Sequence, residues 1–231
     1  MYTRLVGDIH GKFTDYRFYS LGIGRTSAAH LAGEAASSIQ LGDYGLGFNK
    51  DGLWNLNMKD WQSKNSTHRF IRGNHDDLAY CSAMPNFIAD GRVEGHTMFI
   101  GGAWSIDYAW RTEGLNWWAD EECSVEQFNQ LIDTYSIVRP RVMITHDCPT
   151  EAAYEMFAKR GLLLNGYGAK LEKTRTATAL QAMFDIHQPD FWFFGHWHVS
   201  TALKIGNTHF QCLGELDYVD FDLETLDFKI D

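Results

Sequence analysis

The sequence is short of several things, and each shortage excludes something. No stretch of its 231 residues approaches the ~18–20 consecutive apolar residues that a membrane-spanning helix needs. The opening MYTRLVGDIHG lacks the charged-then-apolar order of a secretory leader, so the cytoplasm is the expected compartment. Cysteine occurs four times, as Cys81, Cys123, Cys148 and Cys212, without the paired spacing of a zinc ribbon or a disulfide framework. Reduced, buried thiols are expected; Cys148 stands out only because it follows His146 and Asp147. Positive charge is scarce too, with 20 Lys and Arg against 30 Asp and Glu, a net charge of −10. That disfavours tracking along nucleic acid, which depends on cations that displace counterions. It leaves room for a nucleotide-sized substrate, because bound divalent ions make a pocket far more positive than the whole chain. There is no internal repeat, low-complexity tract or Pro/Ser-rich linker, so residues 1–231 read as one domain.

What is present is a repeated form. TRLVGD (3–8), SSIQLGD (37–43), HRFIRGN (68–74), RVMITHD (141–147) and DFWFFGHWH (190–198) are short apolar runs that end in polar residues. Such runs, bounded by glycine and acids, predict buried strands. Helices are predicted between them. SVEQFNQLIDTY (124–135) opens with a capping-box pair, Ser124 and Gln127. EAAYEMFAKRG (151–161) ends at a glycine, and LEKTRTATALQAMFDIHQP (171–189) stops before Pro189. The remaining segment alternates and carries a Gly206-Asn207 turn, which predicts antiparallel hairpins. Together these indicate an α/β protein with a mixed sheet or two sheets.

In open α/β sheets, sites form beyond the carboxyl ends of strands. The polar residues at those ends are Asp8, His10, Asp43, Asn74, His75, His146, His196 and His198, which include five of the ten histidines. A single Gly-Asp or His-x-His is an ordinary turn or a pair of surface histidines; five such motifs, each behind a strand, are a constellation. Carboxylate, amide oxygen and imidazole suit divalent Mn, Fe, Zn, Ni or Co. No cysteine takes part, which argues against a structural zinc site. Eight groups suffice for two ions sharing a carboxylate, an arrangement that clamps a phosphoryl group and activates a water.

The order D-x-H, GD, GNH[DE], lone H, GHxH resembles the calcineurin-like metallophosphoesterases, and every block is present between residues 8 and 198. The resemblance implies a four-layer αββα sandwich, two mixed sheets flanked by helices, with a two-metal centre in the loops at its edge. It implies that Asp8, His10 and His198 hold one metal, that Asn74, His146 and His196 hold the other, and that Asp43 bridges them. It implies hydrolysis through a hydroxide bridging the ions. His75 would contact phosphate and protonate the leaving oxygen, with Asp76 as its orienting partner.

The sequence also departs from that pattern. GDYGLGF lacks the aspartate and the arginine that follow GD in the Ser/Thr protein phosphatases of the superfamily, where the arginine grips phosphate. Arg25 and Arg111 are candidates for that role, each with the plainer alternative of a solvated surface residue. Arg111 lies in GGAWSIDYAWRTEGLNWWADEE (101–122), which holds Trp104, Tyr108, Trp110, Trp117 and Trp118. Similar stretches occur in bacterial and phage-type members of the superfamily. The segment reads as a long loop, either packed on the sandwich edge, the more ordinary outcome, or forming a lip that stacks on a planar substrate group.

The leading expectation is a two-metal phosphoesterase acting on phosphodiesters or small phosphorylated molecules, nucleotides included. A phosphomonoesterase on the same site is the alternative. A nuclease related to double-strand-break repair enzymes is disfavoured by the acidic balance. A non-catalytic binding module on the same fold, like the related retromer subunit, is disfavoured because all seven ligand positions and His75 are present.

Overall fold

A computed structural model of the chain describes residues 1–23, 33–50, 52–159 and 174–229. Its strands are β1 (Thr3–Val6), β2 (Ser38–Gln40), β3 (His68–Phe70), β4 (Val93–Glu94), β5 (Thr97–Ile100), β6 (Val142–Thr145), β7 (Phe191–Phe194), β8 (Thr201–Ile205), β9 (Thr208–Cys212), β10 (Tyr218–Asp222) and β11 (Asp227–Phe228). They form two mixed sheets, ordered β11-β10-β1-β2-β3 and β4-β5-β6-β7-β9-β8. In the first, β1, β2 and β3 are parallel and β10 runs against β1. In the second, β5, β6, β7 and β9 are parallel, and the edge strands β4 and β8 are antiparallel to their neighbours. The β8–β9 hairpin turns at Gly206 and Asn207, as the sequence predicts.

The sheets stack face to face. FWFF has no polar residue because β7 is covered on both sides. Its Phe191 and Phe193 face the inter-sheet layer with Leu5, Ile39, Leu41, Val142, Ile144 and Phe221. Its Trp192 and Phe194 face the opposite way, onto Phe128, Leu131, Met156, Leu180 and Phe184 of the helices. The Trp192 indole N–H donates to Thr145 Oγ1 at 2.8 Å, so the buried ring keeps its polar atom satisfied. Helices α1 (Phe13–Asp15), α2 (Gly52–Lys64) and α3 (Leu78–Ser82) cover the five-stranded sheet; α4 (Val125–Val138), α5 (Thr150–Lys159) and α6 (Arg175–Ile186) cover the other. The result is the four-layer αββα sandwich.

The Ser124–Gln127 capping box forms, and α4 then runs one turn past Tyr135 to a left-handed Arg139. Helix α6 is shorter than 171–189 suggests. It starts after Thr174, whose hydroxyl accepts the Ala177 N–H, and it ends at Ile186 because His187 turns extended ahead of Pro189. Gly161, the expected cap of α5, and the stretch 171–173 lie outside the described residues. The four cysteines are free and buried, as expected.

Polar groups are buried in pairs. Arg4 sits almost without solvent on the outer face of β1 and reaches both oxygens of Asp220 on β10 at 2.7 Å. His68 is buried on β3 with its Nδ1 2.9 Å from Ser38 Oγ on β2. Burial disfavours its charged form and lowers its pKa to about 4. An unfolded histidine takes up its proton near pH ~6.5. Between these values the unfolded chain binds a proton that the folded chain refuses, so stability falls as pH drops through that window. In urea unfolding at pH 7 and pH 4.5, wild type should lose more stability than His68→Gln. An equal loss in the variant removes His68 as the source.

Candidate metal centre

The eight singled-out residues sit beyond the carboxyl ends of five parallel strands. Asp8 and His10 follow β1, Asp43 follows β2, Asn74 and His75 follow β3, His146 follows β6, and His196 and His198 follow β7. Three of these strands belong to one sheet and two to the other, so the site straddles the sandwich edge.

Two glycines show why Gly precedes a ligand. A Cβ on Gly73 would lie 2.1 Å from both the backbone nitrogen and Oδ1 of Asp43. A Cβ on Gly195 would lie 2.3 Å from Asp8 Oδ1. Any side chain there would displace a carboxylate of the site. The ligands themselves bear backbone strain. His10 (φ 42°), Asp43 (57°), His196 (64°) and His198 (49°) are left-handed, a conformation unfavourable for an L-residue by ~1–2 kcal/mol. Four tight reversals let consecutive ligands point to different places, so His196 and His198 diverge although only Trp197 separates them.

The ligand-type atoms fall into two groups that share Asp43. Asp8, His10, Asp43 and His198 form one, and Asp43, His146 and His196 the other; within each, the atoms lie within 4.8 Å of one another. Asn74 Oδ1 joins the second group, 3.1 Å from His146 Nε2 and 3.0 Å from His196 Nδ1. In the first group, His10 Nε2 and His198 Nε2 face each other at 2.7 Å. Asp8 Oδ2 is buried beside them without a hydrogen-bond partner. An orphaned carboxylate oxygen next to facing imidazole nitrogens, all oxygen or nitrogen donors, fits a divalent cation in each group.

The acids and imidazoles set one another's charge: burial lowers the pKa of His146, but Asp43 outweighs it and raises it to about 10. Burial works against the charge of Asp8, but the nearby rings of His10 and His198, 3.6 and 3.1 Å from Oδ2, outweigh it and bring the pKa to about 2. Asp43 is likewise held well below its usual range: burial opposes its charge, and His75 and His146 overcome it. Burial, with His146 adding to it, pushes His196 down to about 3, so its ring is neutral with a lone pair to give.

His75 lies at the rim. Its ring packs edge-on against His10 at 4.8 Å and stacks flat on Phe48 at 4.8 Å. Arg111 Nη2 is 2.7 Å from His75 Nε2, and the guanidinium also lies over Phe48 and pairs with Asp107 at 2.7 Å. Arg111 thus reaches the site, whereas Arg25 lies outside the described residues. Asp76 does not meet the His75 ring as expected. Its oxygens accept the backbone N–H groups of Tyr44, Gly45, Leu46 and Gly73, at 2.6 to 3.0 Å. Asp76 therefore ties the loop after β2 to the loop after β3.

Segment 101–122 divides between the two expectations. Trp118 is buried, while Trp110 is 87% and Tyr108 48% exposed. The sequence reading, drawn to the aromatics, missed Ser105 and Glu121, which are buried behind Asn74. The signal was faint: a serine after a tryptophan, and an acidic pair that looks like a solvated turn.

A family model described as calcineurin-like phosphoesterase matches residues 1–200. The chain belongs to this family. No match is found among curated proteins. Among solved structures, a Staphylococcus aureus protein provisionally named a 5′-nucleotidase, solved with α-ketoglutarate, is 12% identical with a TM-score of 0.50, aligning 100% of this chain with 52% of its own. This chain thus spans about half the length of that protein. A Thermotoga maritima protein solved by NMR is 14% identical (TM-score 0.42; 100% and 98% of the two chains). A Streptococcus pneumoniae protein named as a predicted phosphoesterase is 13% identical (TM-score 0.37; 96% and 83%). At such identities the likeness speaks to the fold alone. Among the described residues, no helix is long and apolar enough to cross a membrane.

The strained backbone makes a testable distinction. His198 is half-exposed at φ 49°, so the left-handed turn and not packing dominates its local energy. In metal-free protein, His198→Gly should be more stable than His198→Ala by ~1 kcal/mol. Thermal unfolding of the pair checks it; equal midpoints mean the turn relaxes in the variants.

Proposed function

We propose that the chain is a two-metal phosphoesterase that hydrolyses phosphodiesters or small phosphorylated molecules, nucleotides among them. The observation that carries this reading is the membership of one carboxylate, Asp43, in both ligand groups. A shared carboxylate holds two cations close enough to act on one phosphoryl group. Divalent ions such as Mn, Fe, Zn, Ni or Co, once bound, supply Lewis-acid polarisation of phosphoryl oxygens and lower the pKa of a water that serves as nucleophile.

The residues contribute as follows. Asp8, His10 and His198 hold one ion, Asn74, His146 and His196 the other, and Asp43 both. The His75 backbone N–H donates to Asp43 Oδ1 at 2.8 Å, which prevents that carboxylate from swinging away. Arg111 takes the phosphate-gripping role for which GDYGLGF has no arginine. Asp107 and Phe48 hold the guanidinium, and it is already at His75. A guanidinium only donates, so His75 Nε2 accepts from it and the ring proton sits on Nδ1. A phosphate oxygen entering beside them accepts the Arg111 N–H in place of His75. His75 Nε2, released from the guanidinium, takes up a proton from solvent and passes it to the leaving oxygen.

A panel of phosphomonoesters, phosphodiesters and nucleotides, assayed with Mn, Ni and Mg, tests the reading. Wild type should carry close to two ions, and chelation should abolish turnover. Full-rate hydrolysis after verified metal removal overturns the reading. Asp43→Asn should lose both ions; loss of one assigns Asp43 to a single site. Arg111→Ala should keep both ions and raise KM about 10-fold or more, the worth of a charge-assisted bond. His75→Ala should keep both and lose ~10²–10⁴-fold in rate, most for poor leaving groups. Equal losses for aryl and alkyl esters make His75 a phosphate-positioning group instead.

A further inference from the structure

Behind Asn74 lies a closed ring of buried polar groups that the reaction above does not use. Ser105 is 1%, Glu121 4% and Arg72 1% exposed. Asn74 Nδ2 lies 3.0 Å from Ser105 Oγ. The Ser105 hydroxyl is hydrogen bonded to Glu121 Oε2, and the Ser105 backbone N–H donates to Glu121 Oε1 at 3.0 Å. Arg72, two residues before Asn74, donates to the backbone carbonyls of Asp120 at 2.7 Å and Glu121 at 2.9 Å. Its own carbonyl accepts the Gly102 N–H at 2.9 Å. Both ends of segment 101–122 are therefore anchored to the strand end that delivers Asn74.

Proton counting fixes the direction of this ring. A carboxylate only accepts, so Glu121 takes the single hydroxyl proton of Ser105. Toward Asn74, Ser105 Oγ has only lone pairs left. The Asn74 amide must then present its nitrogen to Ser105 and its oxygen to His146 and His196. An asparagine amide is nearly symmetric in shape, so packing alone does not select this face. The wrong face would point two N–H donors at a cation.

We infer that Ser105 and Glu121 are positioning residues of the second metal site, and that the acceptor-only character of Glu121, rather than its size, sets the polarity of the Asn74 amide. This rests on the two-metal reading. The isosteric Glu121→Gln inverts the relay. The Ser105 backbone N–H keeps the new amide's oxygen, so the amide nitrogen faces Ser105 Oγ and donates to it. The Ser105 proton turns to Asn74, the Asn74 oxygen follows it, and N–H groups face the ligand pocket.

Equilibrium dialysis and calorimetry with Mn²⁺ test this, read beside thermal unfolding of the metal-free proteins. Wild type should bind two ions. Glu121→Gln should bind one at wild-type affinity and the second ~100-fold more weakly, at the upper end for a residue behind a ligand. Ser105→Ala, which frees the amide to choose, should weaken the second ion ~10-fold. The decisive readout is rescue. Asn74→Asp in the Glu121→Gln background offers one oxygen to the Ser105 proton and one to the ion, and should restore the second ion. A purely structural role for Glu121 predicts no rescue, and that result overturns the relay. Two equally tight ions in Glu121→Gln also overturn it and leave the two-metal reading standing. Fewer than two ions in wild type overturn both. If Glu121→Gln does not fold, Ser105→Ala decides: wild-type affinity for both ions overturns the relay.

Discussion

Everything at the site depends on how the two sheets are held against each other. The ligands of each group come from both sheets, and a cation accepts nitrogen and oxygen donors only near ~2.0–2.2 Å. A slip of one sheet by an ångström would take some of the donors out of range. The close-packed layer of Leu5, Leu41, Ile144 and Phe193 prevents that slip, and these residues lie within three positions of Asp8, Asp43, His146 and His196 along the chain. Hydrogen bonds cross at the same level. His146 Nδ1 donates to the Leu41 carbonyl at 2.7 Å, which leaves Nε2 facing the site. The His196 N–H donates to Asp8 Oδ1 at 3.0 Å, so one oxygen of Asp8 is used structurally and the other is left for chemistry.

Buried carboxylates here do three different jobs. Asp8 and Asp43 face imidazoles and remain ionised. Asp76 faces four backbone N–H groups, and each charge-assisted bond of this kind is worth ~1.5–3 kcal/mol. Glu121 faces a serine and, through it, an amide. Residue type is the same in all of them; what differs is the set of donors that the fold brings up. That is why Asp76, adjacent to His75 in sequence, serves the backbone of another loop.

The legible part of the sequence was the part with a local cause. FWFF announces a strand covered on both faces, and Ser124 with Gln127 announces a helix start. Gly-Asp, Gly-Asn-His and Gly-His-x-His announce the site, because the glycine is forced by a neighbouring ligand and the ligand by its chemistry. The part that stayed dark has causes distant along the chain. Glu121 meets Ser105 across 16 residues, and Arg72 meets Glu121 across 49. An arginine ahead of a glycine and a pair of glutamates look like solvated surface until the fold places them together. Phe48, stacked on His75, reads in sequence as one more core aromatic.

The position of β1 bears on the order in which the molecule can come together. The strand that delivers Asp8 is interior to its sheet, with β2 on one side and β10 on the other, and Thr3 pairs with Phe221. Arg4 is neutralised by Asp220 over the same span. During synthesis a chain that has exposed every ligand through His198 still has one edge of β1 open and a bare guanidinium on its face. Long-range pairing of this kind closes late, and an open strand edge is the exposed point of a growing chain. The ribosome must deliver residues 218–222 before β1 can be shut in.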